Sequence, residues 1–221
     1  FKTIKITEQG QVTILIEPNT NREIMMKERV YFDINEFSRA LNEIHAMTSL
    51  EFPNIQSFLG YSTVTKTDNI ISVYKIRCFY EYLPVTLFRL SKNKKSEGMD
   101  FSVEDMTYLF YDTINAIAFM HEKNILHNNI CPSLIYYRSH NYIVGRLLNS
   151  TSSPIQNYIN QYVKGKSIYF SPELYYNIRC KNQIGLERID LFKSEVFSLG
   201  LVLLEIGISQ SIQGIYKKST N

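Results

Sequence analysis

The stretch that decides the fold is Ile125-Leu126-His127-Asn128-Asn129-Ile130-Cys131-Pro132-Ser133-Leu134. It follows a segment, Glu104 to Glu122, in which apolar residues recur at the spacing of one helix face. These residues are Met106, Leu109, Phe110, Ile114, Ile117, Ala118 and Met120. The pattern predicts a long amphipathic helix, a short turn and then a loop of the form His-x-x-Ile-x-Pro. Because loops set on a rigid scaffold commonly carry chemistry, residues 125–134 are the first candidate for a functional site.

This frame resembles the catalytic loop of the protein kinases, which reads His-Arg-Asp-Leu with an Asn five residues after the Asp. In that family the Asp accepts the proton of the substrate hydroxyl, and the Asn helps to hold magnesium. Here Asn129 stands at the Asp position, Leu134 at the Asn position and Asn128 at the Arg position, while Cys131 replaces the usual loop Lys. An amide is no base and a hydrocarbon offers no lone pair to a hard cation. The resemblance therefore implies the fold of a kinase around degenerate positions, which include His127.

Two later motifs carry the same resemblance. Gly165 to Glu173 is similar to Gly-Thr-x-x-Tyr-x-Ala-Pro-Glu, and Lys193 to Gly200 is similar to Lys-Ser-Asp-Val-Trp-Ser-Leu-Gly at the start of the αF helix of that family. The polar residues 149–164 are then expected to form the activation segment. Since Asn128 replaces the Arg that would read an activating phosphate, we expect no control by phosphorylation of that segment.

Tyr142 to Leu148 resembles the strand that leads into Asp-Phe-Gly, whose Asp binds magnesium. Arg146 would occupy that Asp position, and an alignment shifted by one residue places Gly145 there instead. Neither alignment recovers a carboxylate, so the resemblance predicts no metal site. Arg146 could pair with Glu43, bind phosphate without a metal, or be a solvated arginine.

The first 30 residues predict three strands. Aligning Gly10-Gln11-Val12 with the glycine-rich loop of kinases leaves Lys5 and Thr7 where the first two glycines belong. Ile24-Met25-Met26-Lys27 resembles the Val-Ala-Ile-Lys strand, whose lysine pairs with the nucleotide phosphates and with a helix glutamate. The resemblance thus implies a retained pair of Lys27 with Glu43. Glu43 lies on a predicted helix from Ile34 to Leu50 that matches the αC helix, carries an apolar stripe that includes Ile44 and has Asp33 or Asn35 as its expected N-cap. Ser102 and Asp105 are expected to form a variant of the capping box at the start of the long helix.

The adenine pocket is expected to be filled. Phe79 to Pro84 resembles the hinge that binds adenine through its backbone, which puts the bulky Tyr80 at the gatekeeper position. Met25 replaces the small Ala above the base, and Tyr136 replaces the Leu below it. Interiors are packed too densely to hold this extra volume and a ligand together, so we expect neither ATP nor magnesium as a cofactor.

Bulk properties exclude several classes of protein. The net charge of +3 over 221 residues is too small to indicate nucleic acid binding. The three cysteines show no Cys-x-x-Cys spacing, which fits a reducing intracellular compartment, with no organelle indicated. The longest apolar run, Val196 to Leu204, is far shorter than the roughly 20 residues that span a bilayer. Because the chain begins at Phe1, we expect it to be part of a longer protein.

Together these patterns predict an α+β, bilobal protein-kinase-like fold. We expect an N-lobe with its αC helix and hinge over residues 1–83, and a mainly helical C-lobe over residues 84–221 that is truncated after αF. The predicted function is a catalytically inactive kinase-like domain, a pseudokinase, serving as a scaffold or allosteric module and not as an enzyme. Its expected partners are proteins, or further domains of the same chain that cover αF. The alternative is an atypical ATP-dependent kinase or nucleotide transferase that uses Lys27, Glu43 and Arg146.

Overall fold

The structure is a computed structural model that describes residues 2–7, 10–67, 72–145, 153–163 and 169–212, with side chains from Thr13 onward except Met47. Its N-terminal part is a five-stranded antiparallel sheet with the strand order β1-β2-β3-β5-β4. The strands are β1 (Lys2–Thr7), β2 (Gly10–Ile16), β3 (Glu23–Tyr31), β4 (Phe58–Thr67) and β5 (Ser72–Glu81). Alternate residues of β5, namely Ile76, Cys78 and Tyr80, are buried, as expected for a strand that packs one face against a core.

One helix, α1 (Ile34–Thr48), covers this sheet. The Asp33 side chain accepts a 2.6 Å hydrogen bond from the backbone N–H of Asn35 and so caps the first turn. Ala40 and Ile44 are buried against Tyr31 and Ile76 of the sheet, and Phe37 packs beside them. The apolar stripe predicted from the sequence is therefore the face that the helix presents to β3 and β5.

The rest of the described chain is mainly helical. The helices are α2 (Leu87–Ser96), α3 (Val103–Glu122), α4 (Pro154–Val163), α5 (Pro172–Arg179), α6 (Gln183–Glu187) and α7 (Leu191–Gly207), with a 3-10 turn at Pro132–Leu134 and a hairpin of β6 (Ile135–Arg138) and β7 (Asn141–Val144). The side chains of Ser102 and Asp105 form the predicted capping box at the start of α3. The core of this part lies between α3 and α7, where Leu109, Ile117 and Val202 are buried together.

The segment after β7 contains a helix that was not predicted from the sequence. Residues 149–164 were expected to be a polar activation segment, but the structure forms α4 within it, with a proline at the first helical position. Asn157 and Tyr158 on α4 are buried. Apolar side chains at Ile155, Tyr158, Ile159 and Tyr162 recur at helical spacing inside this polar composition, and they pack against Phe170 and Leu174.

Several contacts join the sheet to the helical part. Ile55 forms a parallel bridge with Val144, and the backbone N–H of Gln56 donates a 2.9 Å hydrogen bond to the Val144 carbonyl oxygen. The Arg138 guanidinium lies 2.6 Å from the Glu81 carboxylate. The strand-rich N-terminal part and the helical C-terminal part confirm the α+β fold class, whereas the domain boundary between residues 83 and 84 stays a prediction.

Two further observations bear on the class of protein. No helix in the described ranges is both long enough and apolar enough to cross a membrane. Cys78, Cys131 and Cys180 all lie in the described part of the chain, and none is in a disulfide.

Candidate functional site

The loop after α3 is organised by the His127 imidazole. Its Nε2 donates a 2.7 Å hydrogen bond to the carbonyl oxygen of Gly145, and its Nδ1 accepts one of 3.3 Å from the backbone N–H of Asn129. Burial lowers the pKa of His127 below its usual range. A neutral ring with both nitrogens committed to the backbone cannot serve as a general base. His127 therefore fixes the distance between the loop and the end of β7.

A buried carboxylate anchors the same loop to the core. Glu195 on α7 accepts hydrogen bonds from the backbone N–H groups of His127 (3.1 Å) and Asn128 (2.5 Å), and its side chain is 1% exposed. The oxygen that accepts from His127, Oε2, also lies 2.9 Å from Nε2 of His121 on α3. Glu195 was not among the site residues predicted from the sequence. The signal that could have found it is its place in the Lys193–Gly200 motif, where the family has an Asp.

The three consecutive polar residues of the loop differ in access. His127 and Asn128 are buried, whereas Asn129 is partly exposed. Asn128 has a φ of 66°, in the left-handed region that asparagine tolerates better than most residues. Asn129 is thus the member of the three that can meet a substrate, and its amide can orient a hydroxyl but cannot remove its proton.

A hydrocarbon side chain stands at the position predicted for a metal ligand, and an aromatic one at the position predicted to lie below the adenine base. Leu134 and Tyr136 are buried, and the Tyr136 ring packs with Leu83 and Ile143. A Cβ added at Gly145 would lie 2.6 Å from that ring, so no side chain fits at residue 145 without movement of Tyr136. Within the described ranges, no group of three or more His, Cys, Asp or Glu side chains could hold a metal ion. Arg146 lies outside the described residues.

The predicted phosphate lysine lies on the inner face of the sheet. Met25 pairs with Tyr80 and Lys27 pairs with Cys78 across β3 and β5, and alternate residues of a strand share a face. Met25 and Tyr80 are buried, and the Lys27 ammonium lies 5.3 Å from the centroid of the Tyr80 ring. Burial, and secondarily the charge of Arg29, lower the pKa of Lys27 to about 8.

Glu43 is half-buried on α1, which packs on the strand that carries Lys27. The pairing of Lys27 with Glu43 stays a prediction. The pocket-filling roles of Met25, Tyr80 and Tyr136 stay predictions too, although all three side chains are buried.

The hinge is held by a set of contacts that sequence reasoning missed. The buried Gln56 amide donates a 2.9 Å hydrogen bond to the carbonyl oxygen of Glu81. The Glu81 carboxylate accepts one of 2.9 Å from the backbone N–H of Ser57 and one of 2.6 Å from Arg138. Glu81 lies in the predicted hinge motif, but no motif marks its partners Gln56 and Arg138, because contacts between distant residues leave no periodic pattern.

Comparison with known proteins settles the family. The model of the protein kinase domain matches residues 6–219, nearly the whole chain. The chain belongs to the protein kinase family. It is 22% identical over 209 residues to the protein named "Putative serine/threonine-protein kinase R436" of Acanthamoeba polyphaga mimivirus, covering 91% of this chain and 68% of that protein.

Mitogen-activated protein kinases match a shorter part of this kinase chain. Mitogen-activated protein kinase mpk-1 of Caenorhabditis elegans is 23% identical over 125 residues, which are 56% of this chain and 26% of the relative. Mitogen-activated protein kinase 13 of Homo sapiens is 22% identical over 125 residues, which are 56% and 32% of the two chains. The match thus spans about a third or less of these two relatives.

Two predictions drawn from the sequence are wrong. The chain was expected not to be an enzyme, and to use neither ATP nor magnesium. Membership of the protein kinase family and relatives named as kinases indicate an enzyme instead, of a family that normally uses ATP and magnesium. The physical reason is that phosphoryl transfer depends mainly on positioning and electrostatic stabilisation. The loss of individual polar side chains therefore does not establish the loss of activity.

Proposed function

We propose that this chain is an atypical ATP-dependent protein kinase domain in which Lys27 binds the phosphates of the nucleotide. The observation that carries the proposal is the position of the Lys27 ammonium on the inner face of the sheet, 5.3 Å from the centroid of the buried Tyr80 ring, where burial also lowers its pKa. A cation placed in a poorly solvated position gains most from an anionic ligand, because the ligand replaces the water that burial removed. The sheet surface around Lys27 is thus a site where a polyphosphate would be stabilised.

The charged residues assigned to the nucleotide pocket are those of the alternative prediction, an atypical ATP-dependent kinase that uses Lys27, Glu43 and Arg146. In this proposal Glu43 pairs with Lys27 and holds α1 against the sheet, and Arg146 supplies a second positive charge for the phosphates. The hinge bond from Gln56 to Glu81 gives the base a fixed edge to bind against. The division into an N-lobe over residues 1–83 and a C-lobe over residues 84–221 belongs to the same proposal.

Asn129 would orient the hydroxyl that attacks the γ-phosphorus. The transferred group passes through a loose transition state with little covalent chemistry for the protein to perform, so an amide that positions the nucleophile suffices for slow transfer. The loop that carries Asn129 is fixed by His127 and Glu195 from two sides. We therefore expect an enzyme with a lower turnover than a kinase with a carboxylate base.

Magnesium, which the protein kinase family normally uses, would enter this site together with the phosphates of ATP. Leu134 and Gly145 offer no side-chain oxygen, and the described residues hold no cluster of metal ligands. When bound, magnesium neutralises the charge of the phosphates. The proposal therefore rests on the lysine and not on a metal site of the protein.

The experiment is transfer of label from γ-labelled ATP to a mixture of serine, threonine and tyrosine peptides, with magnesium or manganese. The wild-type chain is expected to incorporate label, and Lys27→Met to reduce incorporation at least about 10-fold, as loss of a charged phosphate contact does. Lys66→Met is the matched control, because Lys66 is exposed on strand β4. Equal incorporation by Lys27→Met and the wild type, or none by either, would contradict the proposal.

A protein-interaction role is a second candidate, favoured by a specific observation. Val196, Phe197, Leu204 and Ile208 on and just after α7 are exposed, although α7 is the most apolar helix described. Exposed apolar patches of this kind mark binding surfaces. The proposed occupant is a protein partner or a further domain of the same chain. Crosslinking from a photoreactive residue at position 196 would support this role by giving a specific adduct, and random adducts would refute it.

A further inference from the structure

Helix α4 contacts both the proposed catalytic loop, residues 125–134, and Glu195, the residue that anchors this loop. The Nε2 of Gln161 donates a 2.8 Å hydrogen bond to the backbone carbonyl oxygen of Asn128. The hydroxyl of Tyr158 donates a 3.3 Å hydrogen bond to Glu195, and both partners are buried. One helix thus reaches the loop itself and the carboxylate that anchors it.

These contacts complete the support of a single residue. The backbone N–H of Asn128 is bound by Glu195 from α7, and its carbonyl oxygen is bound by Gln161 from α4. Its Nδ2 donates to the carbonyl oxygen of Leu126 at 3.2 Å. A non-glycine residue with φ near 66° is at a sparsely populated backbone conformation, which persists when its surroundings hold it. The peptide groups on the two sides of Asn128 are therefore held by two different helices, α7 and α4.

The hydrogen bonds from Gln161 and Tyr158 differ chemically from the contact between an activating phosphate and an arginine. Gln161 and Tyr158 are uncharged donors, and the charged or titratable groups around them are Glu195 and, behind it, His121. The residue that they support, Asn128, stands where the family has the Arg that reads an activating phosphate. Neutral donors of this kind act without a modification and are little affected by salt.

We infer that α4 is a built-in brace that orders the catalytic loop without phosphorylation, with Tyr158 and Gln161 as positioning residues. The inference concerns regulation of the proposed kinase site, and so it rests on the proposed function. The loop is ordered whenever α4 is docked, and displacement of α4 loosens it at Asn128. Regulation of this domain would then act on the docking of α4.

Hydrogen exchange on the unphosphorylated 221-residue chain tests the brace without any need for turnover. Gln161→Glu is isosteric but places an acceptor against the Asn128 carbonyl, and Tyr158→Phe removes only the hydroxyl. Gln156→Glu is the matched control, since Gln156 is exposed on the same helix and its amide donates a hydrogen bond to Asn160. Exchange is followed by mass spectrometry in a peptide that covers residues 124–131 and in one from α3 that covers residues 109–116.

We expect exchange in residues 124–131 to be about 2- to 10-fold faster in Gln161→Glu and Tyr158→Phe, the range for loss of one hydrogen bond, and unchanged in Gln156→Glu. Equal rates in Gln161→Glu and Gln156→Glu would overturn the inference. Equal acceleration of the α3 peptide would also overturn it, because α4 would then support the whole fold and not the loop. A loop that is unprotected in the unphosphorylated wild type would refute phosphate independence.

Phosphoryl transfer supplies a second readout that separates the two proposals. In Gln161→Glu, kcat is expected to fall while the KM for ATP is unchanged, because the loop positions the hydroxyl and not the nucleotide. If no variant transfers phosphate but exchange changes as expected, the proposed function fails and the brace remains. If transfer occurs and exchange is unaffected, the brace alone is wrong.

Discussion

The carboxylate of Glu195 accepts a 3.1 Å hydrogen bond from the backbone N–H of His127, a residue 68 positions earlier in the chain. The side chain of Glu195 is 1% exposed, and the same carboxylate meets Asn128, His121 and Tyr158. A single buried carboxyl group therefore connects the loop of residues 125–134 to α3, α4 and α7. The geometry of the loop depends on this residue more than on any side chain of the loop itself.

Substitution of Glu195 by alanine is expected to destabilise the chain strongly. The backbone N–H groups of His127 and Asn128 would be left buried without an acceptor, at a cost of about 2–4 kcal/mol in the free energy of unfolding. Urea denaturation measures the change. The control is Glu173→Ala on the exposed surface of α5, for which we expect a change within about 0.5 kcal/mol. A loss no larger for Glu195→Ala than for the control would show that the carboxylate does not anchor the loop.

Gly145→Ala should destabilise the end of β7. The new Cβ would lie 2.6 Å from the Tyr136 ring and 3.0 Å from the Leu134 carbonyl oxygen, so we expect a loss of about 1–3 kcal/mol from overpacking. Gly200→Ala is the control, since a Cβ there meets nothing within 4 Å and alanine favours the helix, and it should gain up to about 1 kcal/mol. Thermal unfolding of both variants and of Gly145→Ala with Tyr136→Leu checks this. The prediction fails if the smaller side chain at residue 136 restores nothing.

The stability of the chain should depend on the titration of Lys27. Its pKa of about 8 when folded lies below the ordinary value of 10.5, so the unfolded state binds more protons between these two values. The contribution of Lys27 therefore disfavours folding in full below pH 8, and this penalty is relieved as the pH rises toward 10.5. Lys27→Met is expected to stabilise the chain at pH 7 by about 1–3 kcal/mol and by less at pH 9.5.

Urea denaturation of the wild type and Lys27→Met at pH 7 and pH 9.5 provides the measurement. Lys66→Met serves as control, because the Lys66 side chain is exposed. A stabilisation by Lys27→Met that is equal at both pH values would mean that it arises from packing and not from the buried charge.

The affinity for ATP should fall above pH 8. A bound phosphate raises the pKa of Lys27, so binding is linked to the protonated lysine, which is lost from the free protein above about pH 8. Between pH 8 and pH 9.5 the affinity is expected to fall by up to about 10-fold per pH unit. Fluorescence titration at three pH values checks this. In Lys27→Met the affinity should not change over the same range, and a parallel fall in both proteins would assign the effect to another group.

Periodic patterns predicted much of the fold. The α1 stripe around Ile44 and the cap at Asp33 were readable because helix periodicity and capping chemistry are local. The capping box at Ser102 and the 3.6-residue repeat of α3 were readable for the same reason. Local rules also explain why α4 was missed, since its apolar residues are interspersed with Asn and Gln in a segment interpreted from its polar composition as an activation segment.

The site was less predictable than the fold. Hydrogen bonds from Gln161 to Asn128 and from Gln56 to Glu81 join residues 33 and 25 positions apart, and no spacing in the sequence encodes them. The assignment of Asn129 and Leu134 to degenerate catalytic positions stays a prediction, and the loss of activity inferred from it was an overinterpretation. The absence of a base or a metal ligand at one position lowers the rate of phosphoryl transfer. Whether ATP binds depends instead on the whole nucleotide pocket, which single positions in the sequence do not describe.

The binding of ATP to the wild type and to Lys27→Met, measured by isothermal titration calorimetry at pH 7 with and without magnesium, tests the central claim most directly. The account predicts saturable binding to the wild type and to Lys66→Met, and at least about 10-fold weaker binding to Lys27→Met, as expected for a charge-assisted contact. No heat of binding in the wild type, or equal affinities for the wild type and Lys27→Met, would contradict it.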